Sequence, residues 1–335
     1  MNIRSLSTLA AVSAAALFLS GCGGDAGGSG GEEGYSIGIA QYVTHPSLDR
    51  TREGFKDAFE EAGVQVEWDE QNAEADSGTN TGIAGGFASS GHDMVAAIAT
   101  PSAQAVAQAV QDRPVVFMAV TDPVDAGLVE SWETSGMNVT GVSDLNPVED
   151  QLALVKEVAP DARTVGIVYS SGEANSVVQV EAAKAAAPGL GLEIKESTIT
   201  NTAEVQQGVT ALDGVDAIYV PTDNTVVSGL ESVIGFAQEK QIPVISADRD
   251  SVERGTVITK GIDYYGHGKQ AGEMALRILQ EDLDPASVPV EKAPDDGLEL
   301  IVNEDAAKSL GVEIPKDLLD EAEKVTAEDA EESGN

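Results

Sequence analysis

The sequence predicts an α/β protein of two similar lobes, each a parallel sheet flanked by helices. Three observations carry this. Apolar runs of strand length alternate with segments of helical spacing along most of the chain. The pattern also occurs twice: Ile37 to Trp68 matches Val165 to Glu196 position for position, with Gly63 answering Gly191. Further on, Ala97-Ile-Ala-Thr100 parallels Tyr219-Val-Pro-Thr222, and Pro114-Val-Val parallels Pro243-Val-Ile, at nearly the same offset. Finally, 335 residues suffice for two domains of ordinary size. The composition is 42% apolar but only 4% aromatic, so the core is expected to consist of small aliphatic side chains.

Residues 1–21 read as a signal peptide. Arg4 supplies a positive charge, and Leu6 to Leu19 is apolar yet shorter than the roughly 20 residues a spanning helix needs. The segment ends Leu19-Ser20-Gly21-Cys22, which resembles a bacterial lipobox, with Cys22 as the lipidated residue of the mature chain. Residues 22–34, rich in Gly, form a flexible tether.

Ser36 to Val43 is the first expected strand. Pro46 opens a helix carrying Leu48, Phe55, Ala58, Phe59 and Ala62 at helical spacing, closed at Gly63. Strands are expected at Val64 to Trp68, Met94 to Ala99 and Val115 to Val120, with one helix over residues 76–90 and another that follows Thr100-Pro101-Ser102 and runs to Gln111. Asn138 to Gly141 reads as a short crossing segment. The cycle then restarts with strands at Thr164 to Ser170, Leu192 to Glu196, Ala217 to Val220, Pro243 to Ala247, Thr256 to Lys260 and Leu298 to Val302. Helices follow Glu173 and Ala203 and span Val226 to Gln238, Tyr264 to Gln280 and Glu304 to Leu310. Residues 316–335 read as an acidic tail, a helix fading into a solvated end.

Composition also excludes functions. With 19 Lys and Arg against 57 Asp and Glu, the net charge of −38 argues against a nucleic-acid partner. The single cysteine rules out an intramolecular disulfide or a cysteine metal cluster. His45, His92 and His267 lack metal-like spacing, no G-x-S-x-G elbow occurs, and the glycines from Gly82 to Gly91 do not form a strand-to-helix G-x-G-x-x-G turn. Neither an enzyme nor a cofactor is expected. A ligand-responsive repressor of two such lobes would need a DNA-binding motif where this chain carries its apolar leader.

Open α/β sheets bind ligands beyond the carboxyl ends of their strands, and polar residues cluster there in both halves. The first half offers Gln41, Tyr42, His45, Thr100, Ser102, Thr121 and Asp122. The second offers Glu173, Asn175, Ser176, Thr222, Asp223, Asn224 and Asp248. Two lobes facing each other across these edges would form a cleft that closes by a hinge.

The ordered blocks HPSLDRTREGF, IATPSAQA, TDPVDAGLV, NVTGVSD, YSSGEANS, VPTDNTVV and DYYGHGKQAGEMA, over about residues 36–312, resemble the ABC-transporter substrate-binding proteins of the tryptophan/tyrosine-binding type. The resemblance implies a periplasmic-binding-protein fold with three interlobe crossings: residues 35–141 plus 257–287 in the N-lobe, 142–256 plus 288–315 in the C-lobe. It also implies an amino-acid ligand, often aromatic, passed to permease subunits driven by a separate ATPase. The chain is then expected to be an extracytoplasmic, lipid-anchored monomer. For a zwitterionic ligand, Thr100, Ser102, Asn175, Ser176, Thr222 and Asn224 can donate to the carboxylate, while Asp122, Asp223 and Asp248 can take the ammonium. Tyr42, Tyr264 and Tyr265 are candidate aromatic walls. A sugar or nucleoside ligand on the same fold is the alternative, and Arg249 is the one basic residue near the expected strand ends.

Overall fold

The computed structural model describes residues 34–293 and 297–326. The signal peptide, Cys22, the tether up to Glu33 and the end of the acidic tail lie outside the described residues.

The first half runs β1 (Tyr35–Gln41), α1 (Pro46–Glu61), β2 (Val66–Asn72), α2 (Ser77–Ala88), β3 (Met94–Ile98), α3 (Thr100–Ala109), β4 (Val115–Val120) and β5 (Val139–Ser143). Next come α4 (Val148–Val158), β6 (Thr164–Ser170), α5 (Ala174–Ala186), β7 (Glu193–Ile199), α6 (Val205–Thr210), β8 (Ala217–Val220), α7 (Asn224–Ser228) and α8 (Leu230–Lys240). The chain closes with β9 (Val244–Ser246), α9 (Arg249–Glu253), β10 (Ile258–Gly261), α10 (Tyr264–Glu281), β11 (Glu291–Lys292), β12 (Glu299–Val302), α11 (Glu304–Ser309), α12 (Lys316–Glu321) and β13 (Glu323–Lys324).

The strands form two sheets, in the orders β11-β5-β4-β3-β1-β2 and β13-β12-β10-β9-β8-β6-β7. Every described pairing is parallel except β10 with β12. The central strands are covered on both faces, which is why Met94–Ile98, Val115–Val120 and Ala217–Val220 are continuous apolar runs, buried along their length. Cores of Val, Ile, Ala and Leu lie on both faces of each sheet, and one N-lobe core also holds Phe55, Phe59 and Trp68. In each sheet the strand order reverses beside the first strand, between β1 and β3 and between β6 and β8. These switch points are where doubly wound sheets leave a crevice.

The chain passes between the sheets three times: after β5, after β10, and between β11 and β12. The crossing count matches the expected fold, but ownership of the later segments does not. β10 pairs with β9 and β12, so it belongs to the C-lobe sheet although the N-lobe was expected from residue 257. β11 pairs with β5, which puts Glu291 and Lys292 in the N-lobe sheet although residues 288–315 were expected in the C-lobe. Apolar alternation marks a strand without saying which sheet it joins.

Asn138 to Gly141 is likewise not the crossing itself. β5 is a fully buried strand, and the crossing begins after Ser143. The expected helix from Val226 to Gln238 is two helices that meet at Gly229. α4, with Val148, Leu152 and Val155 buried at helical spacing, had no sequence-based expectation, nor did α9 and the short strands β11 and β13.

Candidate functional site

The carboxyl ends of the two sheets meet around a small cavity lined by His45, Ser47, Leu48, Ala119, Thr121 and Asp144 from the first lobe and its exit. Asn175, Thr222, Asp223, Asn224, Val227 and Asp248 line it from the second, with Tyr264 at the start of α10. Its free volume is about 20 Å³, room for little more than one water molecule. A larger open groove of about 1060 Å³ lies at the amino-terminal ends of the second sheet, bordered by Asp216, Pro243 and Pro315. Strand ends of that polarity are not where this architecture binds ligands.

On the first lobe, β1 leads through His45 into α1. Pro46 at the first helical position has no N–H to leave unsatisfied, and no side chain caps the helix. The uncapped amino terminus of a 16-residue helix therefore stands at the cavity. His45 is buried, and desolvation holds its imidazole down at about 4, so the ring is neutral near pH 7. Its Nε2 lies 3.3 Å from Asn224 Oδ1. Because the Asn224 amide nitrogen already donates to Glu173, Oδ1 accepts, and Nε2 must carry the proton. His45 Nδ1 is then an acceptor, and it has no partner.

β5 ends at Asp144. One of its carboxylate oxygens accepts from Thr121 Oγ1 at 3.0 Å, the other from the Tyr264 hydroxyl at 2.8 Å. Both partners are neutral, and burial pushes the Asp144 carboxyl above the usual range.

The second lobe is braced from beneath by Glu173. This buried carboxylate accepts from the backbone N–H groups of Asn224 and Thr225, from Asn224 Nδ2, from Thr225 Oγ1 and from Asn175 Nδ2. Asn175 also donates to the Thr222 carbonyl, which leaves its Oδ1 buried at the cavity without a partner. Asp223 caps α7 through Val226 N–H and takes the Ser170 N–H on its other oxygen. Burial, reinforced by the Glu173 carboxylate, pushes Asp223 up. Asp248 caps α9 at Ser251 and accepts from Ser47 of the other lobe.

The lobes touch through Ser47–Asp248 at 3.1 Å, His45–Asn224 at 3.3 Å, Thr121–Thr222 at 3.3 Å, and the ion pair of Arg50 with Asp250 at 2.8 Å. Of the residues expected from sequence, the structure brings His45, Thr121, Asn175, Thr222, Asp223, Asn224, Asp248 and Tyr264 to the cavity.

The others lie elsewhere. Gln41 is bonded within its lobe to Val43, Asp49 and Arg52. Tyr42 sits in the N-lobe core with its hydroxyl on the Ala75 carbonyl. Ser102 ties α3 to Asn80 of α2, and Thr100 is buried beside it. Asp122 closes a turn onto Val124 and Asp125 N–H. Glu173 and Ser176 stand behind the lining residues. Tyr265 is bonded to Asp57, and Arg249 pairs with Glu253, Glu299 and Glu323. Asp144, Ser47 and Leu48 were absent from the expected set, although the blocks that contain them, NVTGVSD and HPSLD, stood out in the sequence.

Residues 36–326 match the sequence profile of the family described as ABC transporter substrate binding protein. The chain belongs to that family. Its members bind solutes rather than transform them, so the activity of this substrate-binding protein is binding, not catalysis. A curated relative, a tyrosine-binding protein of Clostridioides difficile, is 41% identical over 83% of this chain and 81% of its own length. A solved ABC domain from Streptococcus pneumonia in complex with L-Trp is 38% identical, covering 87% of this chain and 99% of that one, with a TM-score of 0.84. A ligand-free, open substrate binding protein with adhesive properties from Clostridium difficile is 43% identical over the same shares, but its TM-score is 0.65. The chain as a whole is thus more similar in structure to the tryptophan complex than to the open protein. A glucose-galactose binding protein from Geobacillus stearothermophilus, 18% identical with a TM-score of 0.58 over 81% of this chain and 98% of that one, shares the fold. Among the described residues, no helix is long and apolar enough to cross a membrane, and no group of three or more His, Cys, Asp or Glu side chains is placed to hold a metal.

Proposed function

We propose that this substrate-binding protein closes its two lobes on a free amino acid with an aromatic side chain and presents it to the permease of an ABC importer. The observation that carries the reading is the acceptor surplus at the cavity. Asp144 is a buried carboxylate held only by two neutral hydroxyls, and Asn175 Oδ1 and His45 Nδ1 are acceptors without partners. The lining contains no Lys or Arg, and its histidine is neutral. A site of this kind selects a cation that donates several hydrogen bonds, as an α-ammonium does. Asp144 is the residue placed for it, while Asp223, engaged on both oxygens, supports the wall. The ligand carboxylate is assigned to the uncapped start of α1 at Ser47 and Leu48, where helix N–H groups and the helix dipole favour an anion. Leu48, Val227 and Tyr264 supply apolar surface for the side chain. Preference for an aromatic side chain is supported by the tyrosine-binding and L-Trp-bound relatives. The cavity as it stands is smaller than any such ligand, so entry requires the lobes to part.

The same reading holds the protein outside the cytoplasmic membrane through a lipid on Cys22. It acts there as a monomer, with permease subunits and a separate ATPase as partners. A thermal-shift panel of amino acids, sugars and nucleosides tests the ligand. Tyrosine, tryptophan or phenylalanine should raise the Tm, by linkage of binding to folding. Stabilisation by sugars or nucleosides alone would refute the proposal. Labelling of cells with a radioactive fatty acid tests the anchor: the wild type should carry label, and Cys22→Ser should not.

A further inference from the structure

We infer that His267, a buried side chain of α10 outside the cavity lining, is a positioning residue for the ligand site. Ala119, near the end of β4, takes φ +52, a left-handed conformation that residues with a Cβ rarely adopt. The β4–β5 register shifts between Phe117 and Val120, so Ala119 sits in an irregularity of the ladder. Its N–H donates to His267 Nε2 at 2.9 Å. Ala119 itself lines the cavity. Two residues on, Thr121 donates to Asp144 and meets Thr222 of the other lobe. The imidazole also forms a T-shaped pair with the ring of Tyr264, centroids 6.0 Å apart, and the Tyr264 hydroxyl holds the other oxygen of Asp144. His267 thus touches the supports of both hydroxyls that orient Asp144.

Accepting a backbone N–H at Nε2 fixes the proton of a neutral ring on Nδ1, and Nδ1 is buried without a partner. A buried donor left unpaired is a cost that packing alone does not explain, since an apolar side chain would avoid it. The Ala119 contact explains it: the acceptor holds a strained bulge that would otherwise relax and carry Thr121 with it.

The inference rests on the reading of this cavity as the ligand site, and the test separates the two. Wild type, His267→Gln and His267→Met are compared by calorimetric titration with L-Tyr and L-Trp. Backbone hydrogen exchange is followed over residues 117–122. Gln presents an oxygen acceptor near the position of Nε2; Met has similar length and no such acceptor. Met should weaken binding about tenfold, the scale of one lost buried hydrogen bond, and should speed exchange at Ala119. Gln should stay within about threefold of wild type, a rescue that general core packing would not produce. Introducing Ala119→Gly, which adopts positive φ without strain, should shrink the penalty of His267→Met.

Equal weakening by Gln and Met, or unchanged exchange at Ala119 in the Met variant, overturns the inference. If the Met variant fails to fold, the Ala119→Gly/His267→Met protein decides. Recovery of fold and binding supports the role, and continued failure makes His267 an ordinary core residue. If the wild type binds neither amino acid, the functional proposal fails, and the exchange comparison still decides whether His267 holds the bulge.

Discussion

Asp144 and Asp223 look alike in sequence, each an acid after a buried strand, yet their surroundings assign them different work. Asp223 satisfies two backbone N–H groups and is structural in that sense; Asp144 is held by hydroxyls that can turn toward a new partner. Asp144→Asn should therefore weaken amino-acid binding about a hundredfold, the scale of a lost charge-assisted contact, measurable by titration calorimetry. The same variant should melt higher than wild type without ligand near pH 7. Burial raises the folded-state pKa of Asp144 above its unfolded value, so the stability it contributes at low pH is lost as the pH rises and the carboxylate ionises in place.

A second residue-scale prediction concerns Asp250. Burial and the neighbouring Asp248 push it to about 7, against the opposing pull of Arg50 and a hydrogen bond from Ser47. Glu253 adds to the upward push. Its proton is bound in the folded state between about pH 4, where an unfolded Asp titrates, and about 7. Wild-type stability drawn from this group is lost as the pH rises through that window. The Tm of Asp250→Asn relative to wild type should climb across the same window and level off above it, as melts at graded pH would show. His45 and His267 act in the opposite sense: both are held down at about 4 by burial, so their contribution is lost as the pH falls from about 6.5.

Among the elements, the interlocked pair α1 and α10 connects site to scaffold. α1 brings Ser47 and Leu48 to the cavity, and α10 brings Tyr264 to it and carries His267 behind it, against Ala119. Their backbones approach closely enough that a Cβ on Gly268 would stand 2.0 Å from the Thr51 carbonyl oxygen, and one on Gly54 2.1 Å from that of Tyr265. Gly268→Ala should lower the Tm sharply, by several kcal/mol of stability, and weaken ligand binding as well, because separating the helices moves both walls. Thermal melts with calorimetry on the surviving folded fraction would check it.

Elements were also where the sequence spoke most clearly. β4, β6 and β8 begin and end where the sequence predicts, and the duplication gives the two similar lobes. The site was only half legible, and the reason is local backbone geometry. Thr100-Pro101-Ser102 mirrors Thr222-Asp223-Asn224 in sequence, but Ala99 enters α3 with φ +78, and Ser102 is buried against α2. Asp144 carries no cap or turn signal of its own. It becomes a site residue only when Thr121 and Tyr264, from distant parts of the chain, converge on it.

For the whole molecule the question is what holds two acidic lobes together. With a net charge of −38 the protein repels itself at long range, and closure brings Asp144, Asp223 and Asp248 around one small cavity. Arg50 opposes this. It reaches from α1 across the cleft to Asp250 at 2.8 Å and Glu253 at 3.3 Å on α9, where both carboxylates are nearly inaccessible to solvent. Above about pH 7, where Asp250 is ionised, ion pairs so enclosed are screened less by salt than surface pairs, and removing one member leaves the other buried charge uncompensated. Arg50→Gln should therefore shift the unliganded protein toward separated lobes, seen as a larger radius of gyration in small-angle scattering. The apparent Kd should rise in proportion to the lost closed fraction, and saturating ligand should restore the compact form. A radius unchanged from wild type, with and without ligand, would show that the hydrogen bonds Ser47–Asp248, His45–Asn224 and Thr121–Thr222 hold the lobes without it.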